Sequence, residues 1–289
     1  MSNDLLIQCC PNGCTGELYQ TSIVVAEGPL CRCPSCGQLV SSCSKEFHEL
    51  SSQDWNIEQG TWPLENDMKR LIKRRSRDLR ILSKYLSTDK ISLLDVGCSN
   101  GAFVSIANSL GIQAEGIDPS EKAVQNGRER GLKIHCGYLQ EAGFHDNAFD
   151  AITLYEVIEH VHESKSLLQE CYRILKPNGI LLIGTGNTDS WTMRIMKNRW
   201  GFFNMKVHGG HINFFSPKSL SVLASRSGFS VKEIRTSSVT FYEKGEVSYF
   251  LYRTAKIFSE ILNMPSKIFN KGDQMEVYLM ANKTTVQQT

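Results

Sequence analysis

The stretch Leu93-Leu-Asp-Val-Gly-Cys-Ser-Asn-Gly-Ala-Phe103 limits the folds open to this chain more than any other. A short apolar run reaches Asp95, a turn built on Gly97 and Gly101 follows, and a helical pattern begins. Glycine suits a strand-to-helix reversal because it accepts positive φ and leaves the backbone bare enough for a ligand to lie on it. The free N–H groups of the new helix then face the crevice beyond the strand. From Ile91 onward strand and helix patterns alternate, as in a parallel sheet covered on both faces. Strands are expected at 91–96, 113–117, 133–136, 149–154, 179–185, 230–237 and 274–281, and helices at 101–110, 120–130, 164–175, 217–227 and 248–262. The fold class is α/β, doubly wound, with a small N-terminal unit.

That unit is marked by cysteine. Seven of the ten cysteines lie between Cys9 and Cys43. Cys10-Pro-Asn-Gly-Cys14 and Cys33-Pro-Ser-Cys36-Gly37 form two knuckles in which Pro and Gly let the backbone curl so that two thiolates converge on one ion. Two such knuckles supply the tetrahedral sulfur site that zinc prefers, and four sulfurs leave no open position for chemistry. The expected ligands are Cys10, Cys14, Cys33 and Cys36, with Cys9 and Cys31 as spare thiols that leave the choice ambiguous. Leu18–Val25 alternates as one strand of a hairpin.

The divisions expected are a zinc ribbon over 1–45, a helical linker with a basic face over 46–90, and a large domain over 91–289. Trp55, Trp62 and Pro63 suggest that the linker is packed. Its helix, Met68–Leu86, places Leu71, Ile72, Leu79, Leu82 and Leu86 on one side and eight bases from Lys69 to Lys84 on the other. Such bases hold phosphates, of a nucleotide-linked substrate or of RNA, or simply form a solvated face. The net charge of +2 argues neither for nor against a polyanionic partner; only local clusters could do that. The N-terminus has no signal-peptide pattern, and no apolar run approaches the roughly 20 residues of a spanning helix, so a cytoplasmic protein without membrane insertion is expected.

Three features fall at strand carboxyl ends, where open α/β sheets bind ligands. They are the Asp95–Gly101 turn, Asp118 in Gly116-Ile-Asp-Pro-Ser120, and Tyr155-Glu156 followed by Val-Ile-Glu159-His160-Val. An acid such as Asp118 accepts hydrogen bonds from ribose hydroxyls in dinucleotide folds. Together with Phe149-Asp-Ala-Ile152 and Leu175-Lys-Pro-Asn-Gly179, these motifs closely resemble the class I S-adenosylmethionine-dependent methyltransferases over about residues 91–285. The resemblance implies a seven-stranded sheet ordered 3-2-1-4-5-7-6 with strand 7 antiparallel. It also implies that Asp95 and the backbone of Gly97, Cys98, Ser99, Asn100 and Gly101 hold the methionine moiety. Asp118, with Pro119 beside it, would hold the ribose, Gly137-Tyr138-Leu139 would frame the adenine, and Tyr155 and Glu156 would face the transferred methyl. Ser99 departs from the pattern by standing where the family has its middle glycine.

Glu156, Glu159 and His160 fall at i, i+3 and i+4, on one face if the segment is helical. Glu-x-x-Glu-His is similar to the ubiquinone-pathway O-methyltransferases, and with the later His211 it also resembles small-RNA 2′-O-methyltransferases. That resemblance implies a magnesium-type cation on Glu156, Glu159, His160 and His211. The alternatives are His211 as a metal-free general base, with Glu156 and His160 nearby, or His160 merely packing. His208 is a weaker candidate, and Gly209-Gly210 suggests a mobile lid. Trp200-Gly-Phe-Phe203 and His211-Ile-Asn-Phe-Phe-Ser-Pro217 resemble bacterial enzymes of small-molecule and cell-surface glycan synthesis, which favours O-methylation of a small-molecule, sugar or glycan acceptor. The competing readings are an RNA methyltransferase and a non-catalytic scaffold or S-adenosylmethionine-binding protein.

Overall fold

The computed structural model describes residues 5–50, 62–203, 210–242 and 245–283. Trp55, His208 and Gly209 lie outside them. Five parallel strands form the centre of the large sheet: β4 (Ser92–Val96), β5 (Gln113–Asp118), β6 (Ile134–Cys136), β7 (Phe149–Tyr155) and β8 (Leu175–Gly186). Beyond β8 lie β11 (Gln274–Ala281), antiparallel, and then β10 (Phe229–Ser237). The order β10-β11-β8-β7-β4-β5-β6 is the seven-stranded order the sequence motifs imply.

Side-chain alternation divides the core into two. Leu94, Leu181 and Ile183 face one cluster, with Leu167, Leu168 and Cys171 of α4 (Ser164–Ile174) and Leu220 and Leu223 of α6 (Pro217–Arg226). Leu93, Ile180 and Leu182 face the other, with Leu79 and Leu82 of α1 (Glu65–Ser83) and Phe103 and Val104 of α2 (Ala102–Ser109). Strands buried on both faces need apolar residues at successive positions, which is why Ile180–Ile183 contains no polar residue. α3 (Glu121–Arg128) connects β5 to β6, capped by the Ser120 hydroxyl, which accepts from Ala123 N–H.

The small sheet begins with the expected hairpin, β1 (Tyr19–Val25) and β2 (Gly28–Arg32), and continues to β3 (Leu39–Val40). Its fourth strand, β9 (Asn213–Phe214), comes from the large domain and pairs with β3. The Gln38 side chain adds a hydrogen bond to the Phe214 carbonyl (3.3 Å), and Ser41 N–H donates to Ile212 (2.9 Å). Two residues give too short an alternation to be read as a strand.

α1 corrects the expected basic face. Arg74 pairs with buried Glu276 (3.0 Å), Arg77 pairs with Asp78 (3.0 Å), and Arg75 is itself buried and reaches Asp78 (3.4 Å). These three bases turn inward because acids sit beneath them, while Ile72, expected on the apolar side, is exposed.

Candidate active site

The turn after β4 is built as its glycines suggest. Gly97 has φ +72°, and a Cβ there would lie 2.4 Å from a Val157 methyl. Ser99 has φ +49°, so the position keeps the left-handed backbone that the family's glycine adopts freely. Its N–H donates to the Asp118 carboxylate (2.7 Å), which also accepts from Ser120 N–H (2.9 Å). Ser99→Gly is expected to stabilise the protein by about 0.5–1 kcal/mol, since relief of left-handed strain exceeds the added chain entropy. Denaturant unfolding checks this; a destabilised variant would mean that the serine side chain, not the backbone, matters here.

A cavity of about 470 Å³ opens at the strand ends. Gly97, Asp118, Pro119, Gly137, Tyr138, Leu139, Glu156 and His160 line it. Asp95, Cys98, Asn100 and Gly101 are buried behind this wall. Asp95 accepts from the Thr153 hydroxyl (2.6 Å), and burial pushes its carboxyl up to about 7. Burial also raises Asp118. Tyr155 turns away from the cavity. Its ring lies 3.2 Å below the Arg75 guanidinium carbon, and its hydroxyl donates to Asp78 (3.3 Å).

Beyond the cavity, Glu156, Glu159 and His211 converge, with one potential ligand atom from each within 4.8 Å of the others. Residues 156–160 form a turn rather than the helix supposed from the spacing, and His160 falls outside the convergent set, its ring 4.7 Å from that of His211. Glu156 has φ +54°, a strained backbone for a glutamate, fixed by its N–H donating to Gly184 (2.9 Å). Glu159 is buried, and neither carboxylate oxygen meets a donor in hydrogen-bonding geometry, although the Thr185 hydroxyl lies close by. Burial, and then the Glu156 charge, push its carboxyl well above the usual range; burial raises Glu156 too. His211 Nδ1 lies 3.0 Å from the Phe202 carbonyl. A carbonyl only accepts, so this bond puts the proton on Nδ1 and the lone pair on Nε2. The Glu159 carbonyl accepts from Ile212 N–H (2.9 Å) and Asn213 N–H (3.0 Å), which ties the His211 segment to the Glu159 turn.

Cys10, Cys14, Cys33 and Cys36 likewise bring their sulfurs within 4.8 Å of one another, and Cys9, Cys31 and Cys43 stay outside that set. The Asn12 amide donates to Cys36 sulfur (3.5 Å) and Arg226 to Cys14 sulfur (3.3 Å). Against the effect of burial, backbone N–H groups at Cys36 and Ser35 help draw Cys33 down to about 7. The cluster is compatible with a zinc ribbon.

Residues 64–234 match the family model described as a methyltransferase domain. The chain belongs to the S-adenosylmethionine-dependent methyltransferases. The match spans the glycine turn, Asp118 and the Glu156–His160 segment, and the ribbon lies outside it. This methyltransferase is 26% identical over 184 residues to the ubiquinone biosynthesis O-methyltransferase of Chromobacterium violaceum, which covers 60% of this chain and 79% of the relative. It is also 26% identical over 191 residues to the protein of that name from Rickettsia canadensis, covering 60% and 80%. A solved S-adenosylmethionine-dependent methyltransferase from Archaeoglobus fulgidus shares the fold, with a TM-score of 0.53 at 18% identity, covering 74% of this chain and 94% of that one.

The cavity fits the family's cofactor. A carboxylate has about four acceptor sites, and two at Asp118 are taken by backbone N–H groups, so capacity remains for hydroxyls. At Gly137, a Cβ would meet nothing within 4 Å, so the backbone borders open space. Sequence reasoning missed Arg75 and Asp78, which fix Tyr155 beside this wall. The available signal was that Asp78 is the single acid between Lys69 and Lys84.

Proposed function

We propose that this methyltransferase methylates a hydroxyl oxygen of a small-molecule, sugar or glycan acceptor, assisted by a divalent cation at Glu156, Glu159 and His211. The convergence of the buried Glu159 carboxyl with Glu156 and His211 carries the reading. Such a group in a dry site is costly unless a cation or proton meets it, and here a second carboxylate and an imidazole converge on the same point. The names of the curated relatives support oxygen as the acceptor atom. S-adenosylmethionine supplies the activated methyl, and transfer is an in-line displacement that depends on alignment and exclusion of water.

The roles proposed for the chain's own groups are those the family resemblance implies, supported by the residues that line the cavity. The 95–101 backbone and Asp95 hold the methionine end, Asp118 and Pro119 the ribose, and Gly137, Tyr138 and Leu139 the adenine. The Phe202 carbonyl orients His211 and places the ring's acceptor lone pair on Nε2, the atom that would serve as a ligand or proton acceptor. Glu156 borders both the cavity and the convergent cluster, so it relates acceptor to donor. A cation there would lower the pKa of the acceptor hydroxyl. His160, outside the ligand set, would pack against His211 and help wall the cavity. Cys10, Cys14, Cys33 and Cys36 would hold a structural zinc, with Asn12 and Arg226 offsetting thiolate charge. The RNA reading loses three of the helix's eight bases, because Arg74, Arg75 and Arg77 are committed to Asp78 and Glu276.

Transfer of labelled methyl to separated small-molecule, glycan, RNA and protein fractions tests the proposal. Label in base-stable ethers of the small-molecule or glycan fraction is expected. Label confined to RNA or protein would overturn it.

A further inference from the structure

The long helix α7, Tyr249–Ile268, is amphipathic in the reverse sense. It buries Ser259 and Ser266 and exposes Phe250, Ile257, Ile261, Met264 and Ile268. These five follow one another at intervals of seven, four, three and four residues, so they form a single stripe on the outer face. Phe250 is 82% exposed and Ile268 70%. At the helix end Phe269 is also exposed, its ring 6.3 Å from that of Trp191 in α5 (Trp191–Met196).

Charge distinguishes the possible occupants. Arg253, Lys256 and Lys267 lie along one flank of the stripe with a single acid, Glu260, and those bases make no ion pair among the described residues. Two copies packed with these helices antiparallel would set the bases against one another, whereas lipid phosphates neutralise them. No helix among the described residues is long and apolar enough to cross a membrane. A basic flank beside an aromatic and aliphatic stripe is instead the composition of a helix lying in the plane of the interface.

We propose that α7 docks on an anionic lipid surface, with its stripe in the acyl boundary and Arg253, Lys256 and Lys267 among the headgroup phosphates. The chain leaves the sheet at Ser237 and rejoins it at Gln274, which pair with each other, and Gln274 pairs with Gly186 at the carboxyl end of β8. The strand ends that carry the cavity are at this same end of the sheet, so docking would bring the catalytic end of the fold to the membrane.

Co-sedimentation of the full, zinc-loaded chain with vesicles tests the proposal. Binding is expected to vesicles of phosphatidylcholine mixed with phosphatidylglycerol, and only weakly to phosphatidylcholine alone. The double variant Ile257→Glu/Ile261→Glu is expected to lose about tenfold or more of this binding. Lys256→Glu/Lys267→Glu is expected to lose several-fold, as is the wild type in high salt. All four positions are exposed, so thermal unfolding of the variants should match wild type. Absence of binding to anionic vesicles would overturn the proposal. So would a dimer in sedimentation velocity that Ile257→Glu/Ile261→Glu dissociates, since the stripe would then be covered by a second copy.

Discussion

Glu159→Gln is expected to stabilise the cation-free protein at pH 8 while lowering methyl transfer by about a hundredfold or more. The two effects have one cause. Glu159 is buried, and the Glu156 carboxylate beside it outweighs the help it receives from the nearby Thr185 hydroxyl. Its carboxyl is therefore raised, so the folded state keeps this proton to higher pH than the unfolded chain does. Where the folded state binds more protons, stability falls as pH rises. Asp95 acts in the same direction, between its ordinary range near 3.8 and about 7 in the folded protein. The cation-free wild type should thus lose stability from about pH 4 to pH 7 and above. Glutamine at 159 cannot ionise, so its advantage should be near zero at pH 4 and grow as pH rises. Saturating divalent cation should reverse the ranking by stabilising wild type alone. Thermal melts across pH, with and without cation, check each part. A destabilised, cation-responsive Glu159→Gln would show that the carboxylate is satisfied by the protein itself.

The second large effect concerns the ribbon. If the four cysteines hold zinc as proposed, removing it, or substituting Cys33→Ser, should lower methyl transfer by roughly tenfold to a hundredfold while leaving S-adenosylmethionine affinity within about threefold. Zinc contributes most of the folding free energy of such small units. Here the metal knuckle leads directly into Gln38 and β3, and β3 pairs with β9 two residues after His211. Ile212 and Asn213 in turn hold the Glu159 carbonyl. Loss of the ribbon would release His211 from the Glu156–Glu159 turn without touching Asp118 or Gly137, which lie on other strand ends. Calorimetry for the cofactor, together with a transfer assay, separates the two. Equal loss of affinity and transfer would mean that the whole domain unfolds with the ribbon.

The sheet order, the cofactor turn and the cysteine knuckles were legible because each is a local pattern. Burial on both faces writes Ile180–Ile183 as an unbroken apolar run, and a reversal writes Gly97 and Gly101 into the chain. Contacts made across long sequence distances were not legible. Arg74 reads as a surface base until Glu276, 202 residues later, is brought beneath it. β9 is two residues long and acquires its meaning only from β3. The spacing of Glu156 and Glu159 suggested one face of a helix, whereas a turn with a left-handed Glu156 brings them together.

The central claim is that Glu156, Glu159 and His211 hold a divalent cation. Titration of the zinc-loaded chain with Mn2+, followed by electron paramagnetic resonance, tests it without knowledge of the acceptor. The account predicts a single Mn2+ site in wild type that is lost in Glu159→Gln and weakened in His211→Ala. No bound Mn2+ in wild type, or the same binding in Glu159→Gln, would contradict it.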